Sequence, residues 1–144
     1  MDTKELKKIL VSCFEDLNFE KKGAFFYKRS KDLVISVGLQ KSLYENGYYI
    51  NVGYIIIELH PMLEFPKYAD GDARTRFIFG DKNKADIVDV ERCNSIDLIK
   101  TTIQNNVKKL IDIPLKKGFK ELLKIEPTIL YQTTLKAKEY LEII

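Results

Sequence analysis

Two apolar runs joined by Glu45-Asn46-Gly47 constrain this chain more than any other feature. Apolar residues recur at every second position of both runs, which is typical of β-strands. Asn-Gly readily supplies the positive φ that a tight hairpin turn needs. The segment from Leu33 to Ile57 therefore predicts a central antiparallel β-hairpin. The alternating positions are Leu33, Ile35, Val37 and Leu39, then Tyr48, Ile50, Val52, Tyr54 and Ile56.

Patterns before and after the hairpin predict further strands. The aromatic run at Ala24–Arg29 predicts the first strand, ahead of the hairpin. Proline cannot donate to a strand ladder, so the two prolines within His60–Asp72 mark that stretch as a loop. Alternation at Arg74–Phe79 predicts a fourth strand, and Ala85–Val90 predicts a short fifth strand after a turn at Gly80–Lys84.

Helical patterns occupy both ends of the chain. An apolar stripe predicts a helix over Thr3–Leu17, opened by a capping box of Asp2 with Glu5. Ser95 is a favoured N-cap for a second helix that runs to Ile111. A short helix through Leu123 and a last helix that starts at Pro127 complete the prediction.

This order of elements defines the expected fold class. Consecutive strands joined by short turns pair antiparallel, and helices at both ends can cover the sheet. We expect an α+β fold in which an antiparallel sheet of four to five strands is packed by an N-terminal helix and two to three C-terminal helices. A chain of 144 residues fits a single globular domain over residues 1–144.

Charge is unevenly distributed along the chain. The net charge of +3 combines +3 over residues 1–31, −4 over residues 32–99 and +4 over residues 100–144. Such a mildly bipolar surface can steer a charged partner but is too weak to require nucleic acid. Cys13 and Cys93 lack a second Cys or a His at metal-ligand spacing, which favours reduced thiols. We expect a cytoplasmic protein without a membrane span, because no apolar leader or long apolar stretch is present.

The sequence contains no recognised catalytic, metal or cofactor motif. His60 is the only histidine, and the glycines form no phosphate-binding loop of the common kinds. No serine lies in a nucleophile elbow. We therefore predict no catalytic residues, no metal site and no cofactor. A nuclease-like site that pairs His60 with Arg74 or Arg76 is retained as the least favoured hypothesis.

One face of the predicted hairpin carries small and polar side chains. This face includes Ser36, Gly38, Gln40, Asn51 and Gly53. Either a helix or a partner backbone packs closely against it, or it is the solvent side of the sheet. The sequence leaves both alternatives open.

Five residues are the candidates for binding, namely Gln40, Ser42, Tyr44, Arg74 and Arg76. Gln40 and Ser42 end a strand where they can hydrogen-bond a ligand, and the arginines can contact carboxylate or phosphate in a bidentate manner. The alternative for Gln40 and Ser42 is strand-end capping or turn formation. The alternative for the arginines is cross-strand pairing with an acidic residue.

The chain resembles a bacterial family catalogued as domain of unknown function 4304. The resemblance rests on Phe19 with Lys21-Lys22-Gly23, on the aromatic strand Phe25–Lys28 and, most closely, on Gly38-Leu39-Gln40-Lys41-Ser42. A tyrosine-rich strand, an arginine-containing strand and a helical tail follow in the family's order, at Tyr48–Ile57, Arg74–Gly80 and Ser95–Ile111. The family has no established activity, so the resemblance does not indicate an enzyme. By analogy with small bacterial immunity or inhibitor proteins, it favours protein binding.

Two functional hypotheses from different classes follow. The first is a non-enzymatic domain that binds a protein partner through the polar sheet face or the loop His60–Asp72. The second is a nucleic-acid-binding module that uses the lysine-rich helices and the strand tyrosines. The basic net charge argues against an immunity protein that mimics nucleic acid. The sequence does not indicate an oligomeric state.

Overall fold

The predicted hairpin is the centre of the sheet. In the computed structural model, which describes residues 1–79, 85–93 and 95–143, β3 spans Leu33–Lys41 and β4 spans Gly47–Ile56. Val37 pairs with Val52 in this antiparallel hairpin. The predicted turn at residues 80–84 lies outside the described residues. The other strands are β1 (Glu20–Lys22), β2 (Phe25–Arg29), β5 (Ala73–Arg76) and β6 (Ile87–Asp89).

The sheet is antiparallel throughout, in the order β1-β2-β3-β4-β5, and β6 pairs with β4 beyond the end of β5. This confirms the predicted α+β class, with six strands in place of four to five. The additional strand is β1, whose residues are all exposed. An exposed strand of Glu and Lys lacks the apolar alternation by which strands are recognised in a sequence.

Helices begin and end the chain, as the sequence predicts. Asp2 caps α1 (Thr3–Asp16) by accepting a hydrogen bond from the Glu5 N–H, and Ser95 caps α2 (Ile96–Val107) by accepting one from the Leu98 N–H. The predicted helix from Pro127 is divided, because a 3-10 segment at Pro127–Gln132 ends in extended backbone. The α-helices are α1 (Thr3–Asp16), α2 (Ile96–Val107), α3 (Ile113–Lys117), α4 (Phe119–Ile125) and α5 (Leu135–Tyr140).

The main hydrophobic core lies between the helices and one face of the sheet, which we call the inner face. Phe14 of α1 is fully buried, and its ring centroid lies 5.1 Å from that of Phe26 and 5.9 Å from that of Phe77. Ile99 and Ile103 of α2 are buried in the same cluster. No helix in the described part of the chain is long and apolar enough to span a bilayer.

A π-helical turn at Lys108–Asp112 connects α2 to α3 and is fixed to the sheet by one buried side chain. Pro114 lacks the N–H that would normally donate to the Leu110 carbonyl one helical turn earlier. The hydroxyl of Tyr54, at 2.7 Å, donates to that carbonyl instead. Because Tyr54 has no solvent exposure, this hydrogen bond joins β4 to the C-terminal helices inside the core.

Removing the Tyr54 hydroxyl tests this connection. Tyr54→Phe leaves the Leu110 carbonyl without its donor, and we expect the free energy of unfolding to fall by about 1–3 kcal/mol. The matched control is Tyr131→Phe, because the Tyr131 side chain is 87% exposed and should change stability by less than about 0.5 kcal/mol. Urea unfolding of both variants measures the difference, and equal stabilities would contradict this role of Tyr54.

Candidate functional site: an arginine-lined groove on the outer sheet face

The polar face of the hairpin, which we call the outer face, is partly covered by the chain's own loop. A 3-10 turn at Tyr68–Asp70 packs directly onto two glycines of the hairpin. A Cβ atom on Gly53 would lie 2.3 Å from the Tyr68 carbonyl oxygen, and one on Gly38 would lie 2.6 Å from the Tyr68 ring. The face is therefore closely packed at Gly38 and Gly53, but by a 3-10 turn of the chain's own loop and not by an α-helix or a partner.

Apolar contacts also pack the same loop, His60–Asp72, against the outer face at Phe65. Tyr27, Val34 and Ile55 form a small second core on the outer face. Phe65 covers this core, with its ring centroid 5.5 Å from that of Tyr27. Among the described residues, the loop leaves open the end of the outer face at Gln40, Asn51 and Arg76.

The open end of the outer face forms a groove with a volume of about 460 Å³. The strand register brings side chains of β3, β4 and β5 onto its floor, because Gly38 pairs with Asn51 and Asn51 pairs with Arg76. Gln132, from the segment before α5, contributes to the wall. The polar and aromatic lining residues are Gln40, Asn51, Tyr68, Arg74, Thr75, Arg76 and Gln132.

Arg76 is held in position by four neighbours. Its Nε donates to Asn51 Oδ1 at 2.8 Å, and its Nη1 donates to Asp86 Oδ2 at 2.9 Å. Its Nη2 lies 3.4 Å from Gln40 Oε1, and its guanidinium carbon lies 4.1 Å from the centre of the Tyr49 ring. The acidic partner expected from cross-strand pairing is present as Asp86, so the charge of Arg76 is largely balanced.

Arg74 lies on the same face of β5 as Arg76 and is exposed. It pairs in register with Gly53, which has no side chain to shield it. Within residues 1–79, 85–93 and 95–143, no ion pair or side-chain hydrogen bond involves its guanidinium group. Because Asp86 balances the charge of Arg76, exposed Arg74 is the group in the groove that can contact an anion.

The structure brings Gln40, Arg74 and Arg76 together in the groove and places Ser42 and Tyr44 elsewhere. Ser42 is buried, and its hydroxyl accepts hydrogen bonds from the backbone N–H groups of Tyr44 and Glu45. This is the turn-forming role that the sequence offered as the alternative. Tyr44 is 94% exposed at the hairpin tip.

His60 has a structural partner that sequence reasoning missed. Its Nε2 lies 2.7 Å from Oδ1 of the buried Asp72, whose Oδ2 accepts a hydrogen bond from the Ile56 N–H. The loop that covers the outer face is His60–Asp72. The pair therefore connects both ends of this covering loop to the end of β4. The described contacts of His60 include neither Arg74 nor Arg76.

Several of the strand tyrosines are in the core. Tyr27, Tyr48 and Tyr54 are buried, and burial raises the pKa of Tyr54 well above its usual range. Tyr49 lies beneath Arg76. Among these tyrosines only Tyr44 presents a freely exposed ring. The described residues contain no cluster of three or more His, Cys, Asp or Glu side chains suited to a metal ion.

The two glycines provide a matched test of the covering loop. Gly53→Ala forces a methyl group against the Tyr68 backbone, and we expect a loss of about 1–3 kcal/mol in the free energy of unfolding. Gly38→Ala meets only the Tyr68 and Phe25 rings, which can rotate, so its loss should be about 1 kcal/mol or less.

Urea unfolding and amide hydrogen exchange measure both effects. The Gly71 N–H donates to the Tyr68 carbonyl and should exchange faster in Gly53→Ala than in Gly38→Ala. A Gly38→Ala variant as unstable as Gly53→Ala, or more so, would contradict the described approach of the Tyr68 turn.

Comparison with known proteins gives one family. The family model described as Domain of unknown function (DUF4304) matches residues 10–137. No curated protein and no solved structure shows a significant match. The matched range includes the whole sheet, the covering loop and the groove residues. The chain therefore belongs to the DUF4304 family.

Proposed function

We propose that this chain is a non-enzymatic domain that binds a protein partner through the groove on the outer sheet face. The observation that carries the proposal is the placement of exposed Arg74 beside Arg76, whose position is fixed by neighbouring side chains. In this proposal Arg74 makes a bidentate contact with a carboxylate of the partner.

The fixed position of Arg76 on the floor of the groove supports binding. Ordering a flexible side chain at an interface costs about 0.5–1.5 kcal/mol, and Arg76 is already ordered before the partner arrives. Asp86 balances the charge of Arg76, so the attraction for an acidic group is concentrated at Arg74. A partner with one suitably placed carboxylate is therefore favoured over a polyanion at this site.

The amide side chains of the groove support a polypeptide partner. Asn51 Nδ2 donates to Gln40 Oε1 at 2.8 Å, and Gln132 is a third amide side chain in the lining. Amide groups both donate and accept hydrogen bonds, which matches the peptide groups of an extended segment. Among the residues that the structure describes, the lining contains no thiol, imidazole or carboxylate that would serve as a nucleophile or general base.

The biological setting is part of the same proposal. We place the domain in a bacterial cytoplasm, in an immunity-like or inhibitor-like role by analogy alone. Cys13 and Cys93 are both free and buried, and burial raises the pKa of each thiol, which keeps them protonated and unreactive. Free thiols of this kind suit a reducing compartment.

Site-specific photocrosslinking in the host cells tests the proposal. A benzophenone amino acid at Gln132 should give one discrete protein adduct, and the same group at exposed Lys117, remote from the groove lining, should not. Arg74→Glu should reduce the adduct about tenfold or more, because a charged hydrogen-bonded contact contributes about 1.5–3 kcal/mol. Arg74→Lys should retain part of it, since lysine keeps the charge without the bidentate geometry.

The matched control is Lys120→Glu, which makes the same change of charge at an exposed position outside the groove. It should leave the adduct unchanged. An adduct that persists in Arg74→Glu, or one that forms at Lys117 and not at Gln132, would rule out this groove. Turnover of a substrate that His60→Ala abolishes would overturn the non-enzymatic assignment.

A further inference from the structure

A second surface lies on the inner side of the sheet, where α1 passes the turn end of the hairpin. An open depression of about 690 Å³ separates the helix from β4. Its lining includes Lys4, Lys7 and Lys8 of α1, together with Tyr48 of β4. All three lysines are exposed, so their ammonium groups are available to a ligand.

The spacing of the lysines concentrates positive charge. Residues separated by three or four positions lie on the same face of a helix, and like charges so placed destabilise it by about 0.2–0.5 kcal/mol per pair. Lys4 has this relation to both Lys7 and Lys8. Exposed Lys41 pairs in register with Tyr48, which lines the depression, and adds a fourth cation on the same face of the sheet. An anionic ligand would relieve this repulsion.

Two large side chains project from the adjacent hairpin tip. Leu43 is 90% exposed and Tyr44 is 94% exposed. The backbone beneath them is fixed, because the Ser42 hydroxyl accepts from the Tyr44 and Glu45 N–H groups. The next residue, Asn46, is fixed by the Val90 N–H, which donates to its carbonyl. The Tyr44 ring is thus presented to solvent by an ordered support.

We infer that Lys4, Lys7 and Lys8 of α1, together with Tyr44 at the hairpin tip, bind single-stranded nucleic acid. The lysines contact phosphates, and Tyr44 stacks on an unpaired base. This surface is separate from the groove of the proposed function, since the two share no lining residue and lie on opposite faces of the sheet. The inference therefore goes beyond that proposal and does not depend on it.

The neighbouring charges favour this ligand over an anionic membrane. Glu45 stands beside Tyr44 at the hairpin tip, where insertion of the tip would bring its carboxylate to the lipid headgroups. Stacking on a base leaves Glu45 in water. Glu15 lies at the far end of the depression, about 16 Å along the helix from Lys4.

Fluorescence anisotropy with a labelled oligothymidylate, titrated over a range of salt concentrations, tests the inference on the full chain. Contacts from the three lysines predict a log–log salt slope of about −2, because each single-strand phosphate contact contributes about 0.7. The triple variant Lys4→Gln, Lys7→Gln, Lys8→Gln should lose most of that slope. The control with an equal change of charge is Lys116→Gln, Lys117→Gln, Lys120→Gln, which should keep it.

The hairpin tip is tested separately. Tyr44→Ala should weaken binding about fivefold to a hundredfold, the range expected for loss of one stacked base. Leu43→Ala removes an equally exposed side chain that cannot stack, and should change affinity less than about twofold. A duplex of the same sequence should not show the Tyr44 effect.

Four results would overturn the inference. They are no binding at low salt, an equal loss in both lysine triples, an equal effect of Tyr44→Ala and Leu43→Ala, and competition by phosphatidylserine vesicles that depends on Leu43 and Tyr44 together. The last result would assign the surface to lipid. None of them bears on the Arg74 crosslinking experiment, so the two proposals fail independently.

Discussion

The pairing of Val37 with Val52 in the β3–β4 hairpin is the constraint on which the rest of the structure depends. Side chains alternate between the two faces of a strand, so a slip of one residue would exchange every inward and outward position. In the observed register the large apolar residues of both strands meet α1 and α2 on the inner face. The glycines and amides then fall together on the outer face, where a large side chain would block the covering loop.

This alternation explains why the two candidate surfaces are chemically different. On the outer face, Gly38 and Gly53 admit the Tyr68 turn, and the remaining strip of β3, β4 and β5 is left as a groove with a fixed arginine and an exposed one. On the inner face, Tyr48 belongs to the core and also borders a depression lined by the lysines of α1. One strand pair thus contributes both to a groove that contains Arg74 and Arg76 and to a depression lined by lysines, and the two surfaces differ in chemistry.

The parts of the fold predicted from the sequence are those governed by local periodicity and capping. The hairpin, α1 with its Asp2 cap, α2 with its Ser95 cap and the α+β class all follow from patterns within a few residues. What the sequence did not reveal depends on distant contacts. The His60–Asp72 pair joins residues twelve positions apart in a loop without periodicity. Gln132 lines the groove because the next residue, Thr133, forms a β-bridge with Ala73. Ser42 forms a turn because its hydroxyl finds two backbone donors nearby, a contact that its residue type allows but does not require.

Cross-strand nuclear Overhauser effects between Hα protons test the register most directly. The Ser42 N–H donates to the Gly47 carbonyl, which makes Val37 and Val52 a non-hydrogen-bonded pair with Cα atoms about 4.5 Å apart. We predict a strong Hα–Hα effect between Val37 and Val52. A strong effect from Val37 to Asn51 or to Gly53 in its place would contradict the register, and with it the composition of both surfaces.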